Sequence, residues 1–277
     1  MPGAGAGLGV SAPPTLPPRW KLTKPAYSAQ FIYPAVVCHI NRPRITMIRR
    51  DFKTEFDNLI KEIITPTFKM IGFKKKANNF HKSTNDLIQI FNVQKSQWNS
   101  KDDISFTFNI GFFSPEIFIE TWDRPIPDIP KEYDCFISFR SGLITDKKDK
   151  WYNLNRKNNY DKLKIEIKSD LQKSAIDLFN KYQTLTSLKG LINEYPDLQV
   201  TMGTIPRFVF MMKTDSRKNA LDLLFAEYKN AQVPKSSVSV INFPDGRSVE
   251  TKSEPRINKE YIDSLIRIAK MYDIEIK

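Results

Sequence analysis

The chain has 277 residues, a formal net charge of +12, 40% hydrophobic residues and 12% aromatic residues, which is enough apolar material for a buried core. No apolar run approaches the about 20 residues of a membrane-spanning helix, and the N-terminus lacks the continuous apolar stretch of a secretory signal. We therefore predict a cytoplasmic protein without a membrane partner. The two cysteines, Cys38 and Cys135, form no close pair, which argues against a disulfide framework or a cysteine-based zinc site.

The positive charge is unevenly distributed along the chain. Residues 1–46 contain five basic residues and no acidic one, which leaves +7 for the remainder. A basic balance permits encounters with nucleic acid or an anionic surface, but it does not select a function. Because the lysines are interspersed with acids, a solvated basic surface is favoured over a nucleic-acid footprint.

Residues 1–46 are predicted to be a disordered leader or tail. They hold eight of the eighteen prolines and four of the ten glycines, and they show no sustained apolar periodicity. The composition changes at Met47, which favours that residue as the natural start and the preceding segment as upstream read-through, an added segment or a flexible tail. A mitochondrial presequence is the competing interpretation, although the prolines disfavour the amphipathic helix that such a signal needs.

The folded part is predicted to begin with an amphipathic helix from Met47 to about Met70. Its apolar residues recur at three- and four-residue spacing, and Pro66 is expected to end or kink it. Four extended segments follow, GFKKKANNFHK, LIQIFNVQKS, DISFTFNIGFFS and CFISFR, the last after a proline-rich loop. Their short polar connections predict an antiparallel meander, because parallel strands need much longer crossovers.

The second half of the chain is predicted to be mainly helical. One stripe runs through YDKLKIEIKSDLQKSAIDLFNKYQ, a short one begins at Leu188, a third helix covers Arg217 to Asn230 with Asp215 or Ser216 as its cap, and a fourth follows Asn258. FPDGRS is typical of a hairpin turn. The expected fold is α+β, with a four-stranded or slightly larger antiparallel sheet on the N-terminal helix. The expected domains are an α+β domain over residues 47–200 and a helical extension over 201–277 that packs on the same core.

Polar side chains are predicted to share one face of this sheet. In DISFTFNIGF the apolar residues alternate with Ser105, Thr107, Asn109 and Gly111, and the same alternation in the preceding segment separates Phe91 and Val93 from polar neighbours. We define the polar face as the candidate binding residues Asn92, Gln94, Ser96, Thr107, Asn109 and Arg140.

Two interpretations of the polar face remain open. Antiparallel sheets often have one wet face made of such residues. Asn and Gln are nevertheless poor strand formers that pair a donor with an acceptor, which favours an aimed binding surface. Gly111, next to Asn109 on this face, would let a backbone or a ligand approach closely.

A family resemblance rests on GFKKKANNFHK, FNVQKS, FTFNIG, FRSG and KWYNL. These segments contain Gly72, Phe73, Phe80, Gln94, Ser96, Asn109, Gly111, Arg140 and Trp151. Over residues of about 50 to 180 the chain resembles the bacterial family known as domain of unknown function four-three-zero-four. The resemblance implies a compact α+β domain with the Gln/Ser/Asn motif and transfers no catalytic role.

The sequence contains no strong catalytic motif. The only histidines are His39 and His81, and neither a phosphate loop, a serine-hydrolase elbow nor a calcium loop is present. Glu166 and Lys168 have the E-x-K spacing of metal-dependent nucleases, but that spacing arises readily by chance, and here it falls within a helical pattern. Trp98 lies in a polar loop where it would either pack or stack on a base.

The leading hypothesis is a non-catalytic recognition or accessory domain, of an immunity-like kind, that binds an unidentified protein partner through the polar face. No cofactor and no metal are expected. The alternative hypothesis is a nucleic-acid binder or a metal-dependent nuclease.

Overall fold

A computed structural model describes residues 50–122, 124–214, 216–243 and 246–276. The predicted leader, residues 1–46, lies outside the described residues. The helices are α1 Phe52–Leu59, α2 Thr65–Met70, α3 Pro115–Thr121, α4 Gly142–Thr145, α5 Tyr160–Leu171, α6 Asp177–Lys181, α7 Leu188–Glu194, α8 Thr204–Lys213, α9 Arg217–Ala231 and α10 Lys259–Met271. The strands are β1 Lys74–Lys76, β2 Asn79–Ser83, β3 Ile88–Lys95, β4 Asp103–Phe113, β5 Ile137–Arg140, β6 Tyr152–Asn155, β7 Val238–Asn242 and β8 Ser248–Lys252.

The central sheet is antiparallel and six-stranded, which confirms the predicted α+β class and strand direction. Its order is β1-β2-β3-β4-β5, and β6 pairs with β4 further along the same edge as β5. The first extended segment is two strands rather than one, because the chain reverses at Ala77, whose φ is 53°, so that β1 pairs with β2. The prediction also missed β6, which contains only four residues.

One face of the sheet carries the main core. Phe91, Phe108 and Ile110 lie on it and are fully buried, as the alternation predicted. Helices α2 and α6 pack against it: the Phe68 ring stacks on the Phe91 ring at 4.1 Å between centroids, and the Phe179 ring lies 5.7 Å from the Phe112 ring. Large aromatic side chains therefore fill the space between sheet and helices.

The first helix continues through Pro66, contrary to the prediction that it would end or kink there. A π-helical stretch, Ile60–Ile64, joins α1 to α2, and the Thr65 amide donates to the Ile60 carbonyl five residues earlier. Pro66 then occupies the first turn of α2, where a missing amide hydrogen is tolerated. The helical path therefore extends to Met70.

The opposite face of the sheet is apolar at one end and polar at the other. Ile90, Phe113 and Phe118 form a small buried cluster beneath α3, a helix in the segment that the sequence suggested was a loop. Ser114 caps α3 by accepting a hydrogen bond from the Ile117 amide. The polar face occupies the remaining part of this side.

The C-terminal half is helical, as predicted, with one helix added and one hairpin confirmed. The sequence missed α8, whose Phe210 ring lies 5.6 Å from the Phe136 ring next to β5. Asn258 caps α10, and Ser216 precedes α9 without a side-chain cap bond, while Asp215 lies outside the described residues. Strands β7 and β8 form the expected antiparallel hairpin.

The buried residues of α8 and α10 belong to the same core cluster as those of the sheet. The domain boundaries at residues 47, 200 and 201 stay predictions. Among the described residues, the structure contains no helix that is both long and apolar enough to cross a membrane.

Candidate functional site

The polar face is built around a row of residues that lie opposite one another on four strands. The strand register places Asn79 of β2 opposite Asn92 of β3, Asn92 opposite Asn109 of β4, and Asn109 opposite Arg140 of β5. Asn92 and Asn109 are only 9% and 7% exposed. Three asparagines and one arginine therefore cross the sheet in a single line.

The asparagines of this row are hydrogen-bonded to one another. Asn109 Nδ2 donates to Asn92 Oδ1 at 3.1 Å and to Gln94 Oε1 at 2.8 Å. Asn92 Nδ2 donates in turn to Asn79 Oδ1 at 2.8 Å. Asn92 uses both its donor and its acceptor in this row, which explains why this residue type stands in strands that would otherwise disfavour it.

Thr107 and Ser96 form hydrogen bonds with the backbone of nearby loops. Thr107 is fully buried, and its hydroxyl donates to the Lys150 carbonyl at 2.7 Å. Ser96 follows β3, and its Oγ accepts a hydrogen bond from the Trp98 amide at 3.2 Å. The Thr107 hydroxyl is therefore not aimed at an open site, whereas Ser96 is partly exposed.

The exposed border of the polar face contains Gln94, Arg140, Asp149 and Trp151, which we call the rim. Arg140 Nη1 makes an ion pair and hydrogen bond with Asp149 Oδ2, and the same oxygen accepts from Trp151 Nε1 at 3.0 Å. The Arg140 guanidinium also lies 4.9 Å from the centroid of the Trp151 ring. The arginine is thereby held in one orientation by both a carboxylate and an aromatic surface.

Two glycines allow loops to cover this side of the sheet. A Cβ on Gly111 would lie 2.5 Å from Cys135 Sγ, so the close approach that the sequence suggested is made by the chain's own segment next to Cys135. A Cβ on Gly142 would lie 2.5 Å from the Lys148 carbonyl oxygen. The segment after α4 can therefore return to the sheet and present Asp149 to Arg140.

Behind that segment, the Lys150 side chain is surrounded by three carboxylates. Its Nζ lies 2.7 Å from Asp170, 3.0 Å from Glu166 and 3.2 Å from Asp146. Burial lowers the pKa of Lys150, but the hydrogen bonds to these carboxylates outweigh it and leave the pKa raised. The ammonium therefore stays charged and fixes the loop that Thr107 also holds.

The same carboxylate constrains a buried tyrosine. Tyr152 Oη donates to Asp170 Oδ2 at 2.7 Å, and burial together with this hydrogen bond raises the pKa of Tyr152. Lys150 Nζ and Tyr152 Oη thus share Oδ2 of the mostly buried Asp170 side chain. The cluster is thus a satisfied ion and hydrogen-bond network.

The structure brings five of the six predicted binding residues onto one continuous surface: Asn92, Gln94, Thr107, Asn109 and Arg140. Ser96 lies just beyond the end of β3. Of these residues, only Gln94 and Arg140 present side chains at the exposed rim, and the binding role of all six stays a prediction.

Sequence reasoning missed residues that complete the polar face or the core. Asn79 and Asp149 were missed because their positions depend on the β1–β2 reversal and on the loop before β6. Gln89, fully buried on the core face, donates to the carbonyls of Phe179 and Tyr182 at 2.7 and 3.0 Å. The only signal for Gln89 was its polar type among apolar neighbours.

His81 and Cys135 are two further titratable side chains of the described residues, and both have shifted pKa values. Burial and the neighbouring Lys74 and Lys76 lower the pKa of His81, a partly buried residue of β2. Burial raises the pKa of the Cys135 thiol, which disfavours the nucleophilic thiolate. Within the part of the chain that the structure describes, no group of three or more His, Cys, Asp or Glu side chains is arranged to hold a metal ion.

These features define the class: an α+β domain with an antiparallel sheet, helices on the core face, and a hydrogen-bonded polar face partly covered by loops. Residues 64–181 match the family model described as Domain of unknown function (DUF4304), which supports a domain of this family over that part of the chain. The match extends from the end of the π-helical stretch to α6 and so includes the whole six-stranded sheet. Comparison with curated proteins and with solved structures found no match.

Proposed function

We propose that this protein is a non-catalytic recognition domain that binds another protein through the rim. The observation that carries the proposal is the arrangement of Arg140, which is stacked on Trp151 and held by Asp149 at the exposed border of the polar face. Arginine and tryptophan are among the residue types most enriched in the energetically dominant contacts of protein interfaces.

The buried part of the polar face supports this role indirectly. Asn92 and Asn109 are already bonded to each other, so they are not available to a partner, but they hold the strands that carry Gln94 and Arg140. Because these strands are held in place, the side chains of the rim should lose little conformational entropy when a partner binds. Gln94, which is exposed, adds a side-chain amide to the same border of the polar face.

The test is affinity capture from native cell lysate with the full-length protein as bait. Arg140→Ala is compared with Arg156→Ala as a control. Arg156 is another exposed arginine, and it forms an ion pair with Asp102. Loss of the captured protein with Arg140→Ala but not with Arg156→Ala supports the proposal. Retention of the partner by Arg140→Ala contradicts it.

A nuclease-treated lysate separates capture of a protein through the rim from capture through nucleic acid. Capture of a protein partner through the rim should survive nuclease treatment and tolerate salt, whereas capture through nucleic acid should fail in both conditions. A metal-dependent nuclease has weaker support, because Glu166 and Lys168 lie two residues apart on α5 and Glu166 is ion-paired with Lys150 instead.

A further inference from the structure

A second candidate site lies away from the rim, in a basic cavity beside the loop between β3 and β4. The cavity has a volume of about 820 Å³, and its charged lining consists of Arg50, Asp51, Lys53, Lys95, Lys101 and Asp102. This volume is in the range that holds a ligand of nucleotide size.

The two acidic residues of the cavity are already engaged. Asp51 caps α1 by accepting hydrogen bonds from the amides of Lys53 and Thr54. Asp102 accepts a hydrogen bond from Arg156 Nη2 at 3.1 Å. The negative charge in the lining is therefore offset locally.

The lysines of the cavity are less fully offset, although Lys53 interacts electrostatically with Asp51. Among the described residues, no carboxylate forms a salt bridge with Lys53, Lys95 or Lys101, whereas Arg50 is paired with Glu55. The Lys95 ammonium lies 4.3 Å from the centroid of the Phe56 ring, a contact that leaves its charge uncompensated. Three ammonium groups in one cavity favour an anionic ligand.

An exposed aromatic side chain precedes the cavity residues of the same loop. Trp98 is 84% exposed, and Asn99, Ser100, Lys101 and Asp102 follow it directly in the cavity lining. The loop is fixed because Asn99 Nδ2 donates to the Ser105 carbonyl at 3.0 Å and Asn99 Oδ1 accepts from the Ser105 amide at 2.8 Å. The indole is thus displayed on an ordered loop without burial.

We propose that this cavity binds single-stranded nucleic acid, with Lys53, Lys95 and Lys101 contacting phosphates and Trp98 stacking on a base. Basic residues that follow the backbone and an aromatic platform for unstacked bases are the two elements of single-strand recognition. A duplex does not suit the site, because its bases are not free to stack on an indole. The site shares no residue with the rim and goes beyond the proposed function.

The experiment measures binding of a fluorescently labelled oligothymidylate of about ten nucleotides to the full-length protein by anisotropy over a range of salt concentrations. The variant Lys53→Gln/Lys101→Gln should weaken binding about tenfold or more. It should also reduce the slope of log K against log salt, by about 0.7 for each phosphate that a lysine no longer neutralises. Trp98→Ala should weaken binding by about five- to one-hundredfold.

The matched control is Lys218→Gln/Lys229→Gln on α9, which removes the same charge from two other exposed positions. Its affinity should stay within about twofold of the wild type. Circular dichroism checks that all variants are folded, which is expected because Lys53, Trp98 and Lys101 are exposed.

Three results would overturn the proposal. The first is no oligonucleotide binding by the wild type even at low salt. The second is an equal loss in the two lysine double variants, since binding would then follow net charge alone. The third is displacement of the labelled oligonucleotide by a ten-residue polyglutamate peptide as effectively as by unlabelled oligonucleotide at the same concentration. That result would assign the cavity to acidic protein segments.

Discussion

Replacing Asn109 by alanine tests whether the asparagine row stabilises the fold. The change removes two hydrogen bonds, to Asn92 Oδ1 at 3.1 Å and to Gln94 Oε1 at 2.8 Å. Each is expected to contribute about 0.5–1.5 kcal/mol, which gives a loss of about 1–3 kcal/mol in the free energy of unfolding. Since Asn92 is 9% exposed, its freed oxygen cannot readily turn to water, which favours the upper part of this range.

The measurement is urea denaturation of the full-length protein, followed by far-ultraviolet circular dichroism. Gln97→Ala is the control, because Gln97 is an exposed residue of the β3–β4 loop outside the row, and its loss should change the unfolding free energy by no more than about 0.5 kcal/mol. A double-mutant cycle with Asn92→Ala should give a coupling energy of about 0.5–3 kcal/mol. If Asn109→Ala were as stable as Gln97→Ala, or if Asn92 and Asn109 showed no coupling, the row would not stabilise the sheet.

Three further predictions follow from the packing. Phe108→Ala should cost about 3–5 kcal/mol in the same denaturation assay, because the ring is fully buried, and a neutral result would reverse the assignment of the sheet faces. Gly111→Ala should cost about 1–3 kcal/mol because its Cβ would meet Cys135 Sγ, and Gly111→Ala/Cys135→Ala should recover part of the loss; no recovery would contradict that cause. The hydrogen bond from Lys150 chiefly lowers the pKa of Asp146, so the stability contributed by this pair is present near neutral pH and is lost as pH falls below about 4. The difference in unfolding free energy between wild type and Lys150→Met should therefore shrink between about pH 7 and about pH 3, and a constant difference would refute it.

The sheet was predictable where alternation was strict. In β4 the apolar and polar residues alternate from Ile104 to Phe112, and the structure places them on opposite faces as expected. The reversal at Ala77 was missed because a left-handed conformation is unusual for alanine, although Asn78 in the same turn is a favoured turn residue. The helical path through Pro66 was also unpredictable from propensity, since it depends on the π-helical stretch that precedes it.

The sequence predicted which residues of β3, β4 and β5 share the polar face, but it did not predict their exposure or the residues that the loops add. Periodicity placed Asn92, Asn109 and Thr107 on one face, but it contained no information on the loops that bury them. Those loops return to the sheet only because Gly111 and Gly142 leave room for them, and neither close approach can be read from the local sequence. Local patterns therefore located the polar face, whereas tertiary packing decided which side chains reach solvent.

Arg140 should contribute to partner binding but little to stability, whereas Asn109 should contribute to both. Arg140 lies at the border, where its ion pair with Asp149 is partly exposed, so removing it should change the unfolding free energy by at most about 1 kcal/mol. Asn109 lies directly opposite Arg140 in the strand register and holds the row beneath it. Asn109→Ala should thus weaken both folding and capture of a partner through the rim, while Arg140→Ala should weaken only capture. Measuring both variants for urea stability and for retention of the same captured protein decides the point. A fully stable Asn109→Ala protein that had lost its partner would mean that the amide contacts the partner itself, contrary to its burial.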